Sequence, residues 1–108
     1  MKLPKTIDIF GKTYSIESMN SDTLHGQCCH DELKIYLDDS LSGNDRIQTL
    51  CHECLHAILY RIGAAAEIED GLEEVIVDSI ATWFVETFHV KFRGNLARSQ
   101  RSRSGGDE

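Results

Sequence analysis

The chain has 108 residues, a formal net charge of −7 and 41% hydrophobic residues, which suits one modest hydrophobic core. Residues 91–108 carry five basic and two acidic side chains, so the acidic excess lies in the part before them. An acidic body repels nucleic acid, which makes nucleic acid an unlikely partner. We find no charged-then-apolar leader and no apolar run near the ~18 residues of a membrane-spanning helix, so we expect a cytoplasmic protein without membrane contact.

The N-terminal third of the chain predicts β-strands. Residues 6–10 and 13–17 alternate between polar and apolar side chains, and a tight hairpin turn starting at Gly11 suits the gap between them. Residues 26–30 and 33–37 look like a second pair of strands. We expect the last of these strands, just before the first helix, to border a cleft where an extended peptide adds to its edge.

A first helix follows this sheet. Three residues that favour helix starts, Ser42, Asn44 and Asp45, mark its beginning, and Gly63 is a plausible terminator. Apolar residues recur in it at helical spacing and predict a buried stripe with two histidines along its flank. The stripe consists of Ile47, Leu50, Cys51, Cys54, Leu55, Ile58 and Ile62.

The pattern His-Glu-x-x-His lies within this helix and is typical of zinc hydrolases. His52 and His56, four residues apart, project from one face and lie close enough to share a metal. Glu53 cannot easily join that chelate, but it can take a proton from metal-activated water as a general base. The alternative is a surface helix with two histidines and a glutamate. Half-buried histidines without partners would be costly, however, and metal ligation satisfies both.

A catalytic zinc site needs a third protein ligand, and the second predicted helix, residues 72–90, offers Glu73 and Glu74. Asp70 as N-cap and Glu73 three residues later have the spacing of a capping box, which leaves Glu74 for the metal. Glu73 projects nearer the middle of the apolar stripe and stays the alternative. Asp78 could accept the second ring N–H of a ligating histidine, or it is an exposed helix aspartate.

Two segments resemble the ImmA/IrrE-type metallopeptidases, particularly the minimal versions encoded by bacteriophages. They are His52-Glu53-x-x-His56-Ala57 and Glu74-x-x-Val77-Asp78-x-Ile80-Ala81. The order of strand, motif helix, short connection and second helix is also similar, and the likeness spans roughly residues 26–88. It departs from the family at Val77, where alanine is usual, and this chain is very short for a peptidase.

The resemblance implies an α+β fold of the minimal zincin kind, in which a small antiparallel or mixed sheet packs against the motif helix and a second helix. It implies a gluzincin-like Zn²⁺ site of His52, His56 and Glu74, with Glu53 as the general base that hydrolyses a peptide bond in a protein or peptide substrate. A phage-encoded chain would act in the host cytoplasm. Two other functions stay open, a zinc-stabilised module that sequesters a partner and a phage accessory protein.

The remaining segments carry weaker signals. Two interpretations suit the four cysteines, Cys28, Cys29, Cys51 and Cys54. They form a second zinc site or a disulfide pair, or they behave as small buried hydrophobic residues, which a reducing cytosol favours.

We expect one domain over residues 1–92 and a disordered tail over residues 93–108, which hold four arginines, three serines and three glycines. The sequence makes no prediction of the oligomeric state.

Overall fold

Four strands precede two long helices along the chain, in a computed structural model that describes residues 3–93. This arrangement confirms the α+β class. The tail predicted for residues 93–108 lies outside the described residues from position 94 onward. The elements are β1 (Thr6–Ile9), β2 (Lys12–Met19), β3 (Gly26–Cys29), β4 (Lys34–Asp38), α1 (Gly43–Arg61), a short 3-10 helix (Ala64–Ala66) and α2 (Asp70–Thr87).

The first hairpin turns one residue earlier than predicted. Ile9 of β1 pairs with Lys12 of β2, so the two turn residues are Phe10 and Gly11 and not Gly11 and Lys12. Both have positive φ angles, 48° and 83°, as the two central residues of the common hairpin turn require. Glycine accepts this backbone without cost, whereas Phe10 adopts it because the pairing of the flanking strands fixes the turn.

The four strands form one mixed sheet in the order β1-β2-β4-β3. The pairs β1/β2 and β3/β4 are antiparallel, and the pair β2/β4 is parallel. Strand β4 is therefore an interior strand, so the prediction that its edge is open to an extended peptide was wrong. One of the two edges of the sheet belongs to β3, which pairs with β4 on one side only and contacts α1.

Helix α1 covers one face of this sheet and builds the hydrophobic core with it. The helix starts after Ser42, an extended N-cap residue, and ends before Gly63, whose φ of 85° only glycine adopts freely. Its buried residues are Leu50, Glu53 and Ala57. Ile62, predicted to lie on the buried stripe, is exposed. The core cluster comprises Ile9, Tyr14, Ile35, Leu37, Leu50 and Ala57.

Arg61 ties the C-terminal end of α1 to the sheet. Its Nε donates a hydrogen bond to the hydroxyl of Tyr14 at 2.9 Å, and its Nη2 donates to the carbonyl of His30 at 2.9 Å. Tyr14 is fully buried on β2, and the imidazole of His30 stacks on the ring of Tyr60 with 4.0 Å between centroids. One arginine therefore satisfies the only polar atom of the largest core side chain and fixes the β3–β4 connection.

Helix α2 packs against α1 and makes no extensive contact with the strands. It starts at Asp70, two residues before the predicted start, and its buried residues are Val77 and Ala81. Small side chains at this contact let the two helix axes approach closely. Within residues 3–93, no helix has the length and apolar character needed to cross a membrane.

Candidate metal centre

The two helices bring three potential metal ligands to one point. Helix α1 contributes His52 and His56, α2 contributes Glu74, and one ligand atom from each lies within 4.8 Å of the others. The two Nε2 atoms are 3.2 Å apart. Glu74 spans them, with Oε1 at 3.1 Å from Nε2 of His52 and Oε2 at 3.2 Å from Nε2 of His56. Among the described residues, this is the cluster that could hold a metal ion.

The hydrogen-bonding state of His56 shows why the cluster fits a cation. Its Nδ1 lies 2.6 Å from Oε2 of Glu73, a carboxylate that can only accept, so Nδ1 carries the hydrogen. In the neutral ring, Nε2 then presents a lone pair toward Nε2 of His52 and the oxygens of Glu74. Lone pairs that converge in this way repel one another unless a metal ion or a proton lies between them. Two imidazole nitrogens and a carboxylate are a common ligand set for Zn²⁺.

The two glutamates at the start of α2 take different positions. The side chain of Glu73 is 13% exposed and that of Glu74 is 60% exposed. The helix is capped by Glu69 without any side-chain cap hydrogen bond, so the predicted capping box of Asp70 and Glu73 was wrong. Glu73 instead turns inward and orients His56, and Glu74 faces both Nε2 atoms. The inward direction of Glu73 was visible in the sequence from its place on the same face as Val77.

Asp78 is close to His52 but does not make a short hydrogen bond with it. Its Oδ1 lies 3.8 Å from Nδ1 of His52, and its side chain is 68% exposed. A distance of this size is too long for a direct hydrogen bond and suits a weak charge interaction or a bridging water. Asp78 is therefore an exposed helix aspartate that lies near a ring nitrogen of His52 without a direct hydrogen bond to it.

Glu53 lies on the inner side of α1, next to the three potential ligands. It is 8% exposed, and no hydrogen bond joins its carboxylate to another side chain or backbone group of residues 3–93. Its pKa is raised to about 7, chiefly by burial, which His56 opposes and the charge of Glu74 reinforces. A buried carboxylate on the core-facing side was not predicted, because apolar spacing alone assigned that side to hydrophobic residues.

Strand β3 approaches α1 closely at Thr49 and Glu53. A methyl group added at Gly26 would lie 2.7 Å from Cγ2 of Thr49, 3.1 Å from Cγ of Glu53 and 3.2 Å from its Oε2. Such contacts are shorter than van der Waals separations, so only glycine fits between the strand and the helix. Gly26 thereby places the start of the edge strand directly against the carboxylate of Glu53.

A cleft of about 760 Å³ opens in front of these residues. His52, Glu53 and Glu74 form one part of its wall, and Gly26 forms another. Two loops also line it, residues 23–25 between β2 and β3 and residues 40–41 between β4 and α1, together with further side chains of both helices. The cleft is large enough for several residues of a peptide or for a small organic molecule.

Asp38 fixes the two loops of the cleft to each other. It is 5% exposed at the end of β4 and accepts hydrogen bonds from the backbone N–H of Ser21 at 2.7 Å and of Ser40 at 3.1 Å. The Ser40 hydroxyl also donates to it. These hydrogen bonds, with that hydroxyl first, lower the pKa of Asp38. The sequence signal was an aspartate two residues before a serine at a strand end, which favours such a turn.

Two further histidines and the four cysteines lie outside the cleft. His30 is half-buried against Tyr60 and His89 follows α2, and neither lines the cleft. All four cysteines are free thiols of intermediate burial. Cys28 and Cys54 pack against the core, and burial raises the pKa of each thiol to about 12. Thiols in this state behave as small apolar side chains.

Comparisons with known proteins give no match. No family model, curated protein or solved structure matches this chain. The function is therefore inferred from the site and the cleft.

Proposed function

We propose that this protein is a zinc-dependent peptide hydrolase with a minimal zincin architecture. The observation that carries the proposal is the convergence of His52, His56 and Glu74 on one point. His52 and Glu74 line the cleft there, together with the buried carboxylate of Glu53. Two imidazoles and a carboxylate leave one position of a tetrahedral zinc site open, as catalytic sites require. When bound, zinc supplies a Lewis acid that polarises a carbonyl and lowers the pKa of water.

Glu53 is the residue that moves the proton in this proposal. It lies on the inner side of the motif helix and lines the cleft. Its carboxylate therefore reaches the space in front of the three ligands without being one of them. Its carboxylate accepts a proton from the attacking water and hands it to the leaving amine. A purely structural zinc site has no use for a buried carboxylate at this place, since burial without a partner costs free energy.

The edge of β3 gives the cleft a way to hold an extended peptide. Its first residue, Gly26, lines the cleft, and the strand has one edge that no described strand occupies. A peptide that adds to this edge by backbone hydrogen bonds would run past Glu53. We therefore assign protein or peptide substrates to the site, with backbone pairing as the main source of binding.

The first test is metal content together with hydrolysis. Protein purified without added metal should contain one zinc per chain, and His56→Ala and Glu74→Ala should lose it. Glu53→Gln should keep its zinc and its circular dichroism spectrum but hydrolyse a peptide library at least about 100-fold more slowly, because the proton acceptor is lost. Cleavage would be followed by mass spectrometry of the library.

A matched variant makes the test specific. Glu86→Gln removes a different carboxylate, which lies on α2. This variant should retain wild-type hydrolysis. Unchanged hydrolysis in Glu53→Gln would remove Glu53 from the mechanism. A wild-type protein that binds zinc but cleaves no member of the library would favour the alternative of a zinc-stabilised binding module.

A further inference from the structure

The wall of the cleft in front of the metal centre is negatively charged. Four carboxylates line it, and within residues 3–93 no lysine or arginine does. They belong to Asp45, Glu53, Glu74 and Asp78. Glu53 and Glu74 already have roles in the proposed hydrolysis, whereas Asp45 and Asp78 have none. We call Asp45 and Asp78 the wall aspartates.

The wall aspartates extend the negative charge along the cleft, away from the metal centre. Asp78 lies beside the centre, with its Oδ1 at 3.8 Å from Nδ1 of His52. Asp45 is in the first turn of α1, seven residues before His52, which is ~10 Å along the helix axis. Gln48 lies on α1 between these two levels and lines the same cleft. The cleft therefore has one carboxylate next to the centre and another about two helical turns away.

Within residues 3–93, no lysine or arginine balances the charge of the wall aspartates, since neither of them forms an ion pair with such a residue. In the zinc-loaded site, the carboxylates of Glu53 and Glu74 balance the two positive charges of the ion, and the ligating histidines are neutral. Two negative charges thus remain at the cleft wall. A ligand with positive charges would balance them.

The separation of the wall aspartates favours a long ligand with several positive groups over a second metal ion. A metal site needs three or more ligand atoms close together, and among the described residues only His52, His56 and Glu74 meet this condition. Two carboxylates at different levels of the cleft instead suit two cations on one chain. Lysine and arginine side chains supply such cations in a peptide, whereas the phosphates of nucleic acid would be repelled.

Glu53 gives an independent indication that the cleft receives a ligand. It is 8% exposed and lines the cleft, and its carboxylate has no hydrogen-bond partner among residues 3–93. A buried polar group in this state costs free energy until something from outside the protein satisfies it. The wall aspartates thus share a cleft with a buried group that lacks a partner.

We propose that the cleft binds basic peptides, in which lysine or arginine side chains pair with the wall aspartates. The inference rests on the proposed function, because it names the substrates of that site. Asp78, beside His52, receives the side chain of a residue next to the scissile bond. Asp45 lies ~10 Å farther along, and an extended peptide advances ~3.3 Å per residue, so Asp45 receives a side chain about three residues away. The wall aspartates are specificity residues and take no part in proton transfer.

Binding of dye-labelled peptides tests the proposal. Three pools of capped octapeptides differ only at two positions three residues apart, which hold lysine, glutamine or glutamate, and contain uncharged residues elsewhere. Zinc-loaded Glu53→Gln keeps the wall aspartates and should bind the lysine pool at least about tenfold more tightly than the glutamine pool, because two charge-assisted hydrogen bonds are added. The glutamate pool should bind most weakly, and added salt should reduce the preference for lysine. Fluorescence anisotropy measures the affinities.

A matched pair of double variants makes the test specific. Asp45→Asn with Asp78→Asn should bring the affinities for the lysine and glutamine pools to within about twofold of each other. Glu67→Gln with Glu86→Gln removes the same number of charges from exposed positions outside the cleft and should keep the preference. Zinc content is measured in each variant, since Asp78 lies near His52. Asp45→Asn alone should keep its zinc and lower the preference about threefold, so the test does not depend on the Asp78 variant.

Equal binding of the lysine and glutamine pools, or an unchanged preference in Asp45→Asn, would overturn the proposal. Hydrolysis of the same pools by the wild type separates it from the proposed function. Preferential binding of the lysine pool by the wild type without hydrolysis of any pool would refute the peptidase and leave the wall aspartates as the recognition site of a binding module. Hydrolysis of all three pools at equal rates would support the peptidase and refute the preference for basic peptides.

Discussion

His56 is held between two carboxylates of α2 that have different exposure. Glu73 is 2.6 Å from its Nδ1 and largely buried, and Glu74 is 3.2 Å from its Nε2 and largely exposed. A buried carboxylate on one ring nitrogen fixes the orientation of the ring and increases the basicity of the other nitrogen. Glu73 is therefore expected to matter for metal affinity although it is not among the three potential ligands.

The two glutamates should differ in the size of their effect on zinc binding. Glu73→Ala should weaken zinc affinity about 10–100-fold, because His56 loses the partner that orients its ring. Glu74→Ala should weaken it more, because a ligand is lost. Competition with a chromophoric chelator would give both affinities, with Glu86→Ala as a control on the same helix. The opposite order would reassign the third ligand to Glu73.

The position of an individual side chain could be predicted from the sequence where residue spacing alone decides the geometry. The four-residue spacing from His52 to His56 places both rings on one side of a helix in almost any fold. The position of Glu73 depended on the contact between two helices, and its spacing from Asp70 equally suited a capping box. Glu53 is the second residue of the motif, but its burial depends on how closely β3 approaches, which no local pattern encodes.

At the scale of elements, the contact between β3 and α1 determines where Glu53 lies. Thr49 and Glu53 are one helical turn apart and both meet the backbone of Gly26. Because Gly26 has no side chain, the strand lies close to the helix, and this contact keeps Glu53 between the sheet and the cleft. The strand and the helix must therefore separate if anything larger than a hydrogen occupies position 26.

Gly26→Ala should destabilise the fold by about 1–3 kcal/mol, as overpacking of a close contact does. The added methyl group would meet Cγ2 of Thr49 at 2.7 Å, so Thr49→Ser, which lacks that carbon, should recover part of the loss. Urea unfolding of the four proteins in this double-mutant cycle measures the coupling. An equal cost of Gly26→Ala in both backgrounds would show that Thr49 is not the obstacle.

The hydrogen bonds of Asp38 predict a pH dependence of stability. Its pKa is lowered in the folded protein, so its contribution is present above the pKa of the unfolded chain and is lost as the pH falls through the folded pKa. The wild type should lose stability in this acid range, whereas Asp38→Asn should be less stable at pH 7 and change less on acidification. Thermal unfolding between neutral and acid pH measures this. The exposed neighbour Asp39 provides the control Asp39→Asn, and the same acid dependence in Asp38→Asn as in wild type would contradict the assignment.

The strand positions were predictable, whereas the strand order was not. Alternation of side chains located all four strands to within a few residues, because burial on one face follows from the period of two. The parallel pairing of β2 with β4 depends on contacts between distant parts of the chain. A hairpin of β3 and β4 allows either strand to join β2, and the sequence does not distinguish the two.

At the scale of the whole molecule, the sheet and α1 form the core, and α2 is attached to α1 on the outside. The potential ligands are divided between these two parts, with both histidines on α1 and Glu74 on α2. A metal ion at this point would act as a cross-link between the helices. Since the unfolded chain lacks the site, binding is expected to stabilise the folded protein.

Zinc should therefore raise the melting temperature. At a free concentration about one hundred times its dissociation constant, it adds about 2.7 kcal/mol, which corresponds to a rise of roughly ten degrees or more for a domain of this size. Differential scanning calorimetry would measure the shift. Mg²⁺, which prefers oxygen ligands, should have little effect on the wild type, and zinc should have little effect on His56→Ala. A zinc effect of equal size in His56→Ala would mean that the stabilising metal binds elsewhere.

The attachment of α2 to α1 alone also bears on how the chain opens. Since α2 has little contact with the strands, it can detach while Tyr14, Leu37 and Leu50 stay buried between the sheet and α1. Such an opening is a partial unfolding whose free-energy cost is smaller than that of global unfolding. It separates Glu74 from the two histidines and leaves the rest of the fold in place. Loss and recovery of the site can therefore be reversible in a chain that never becomes a random coil.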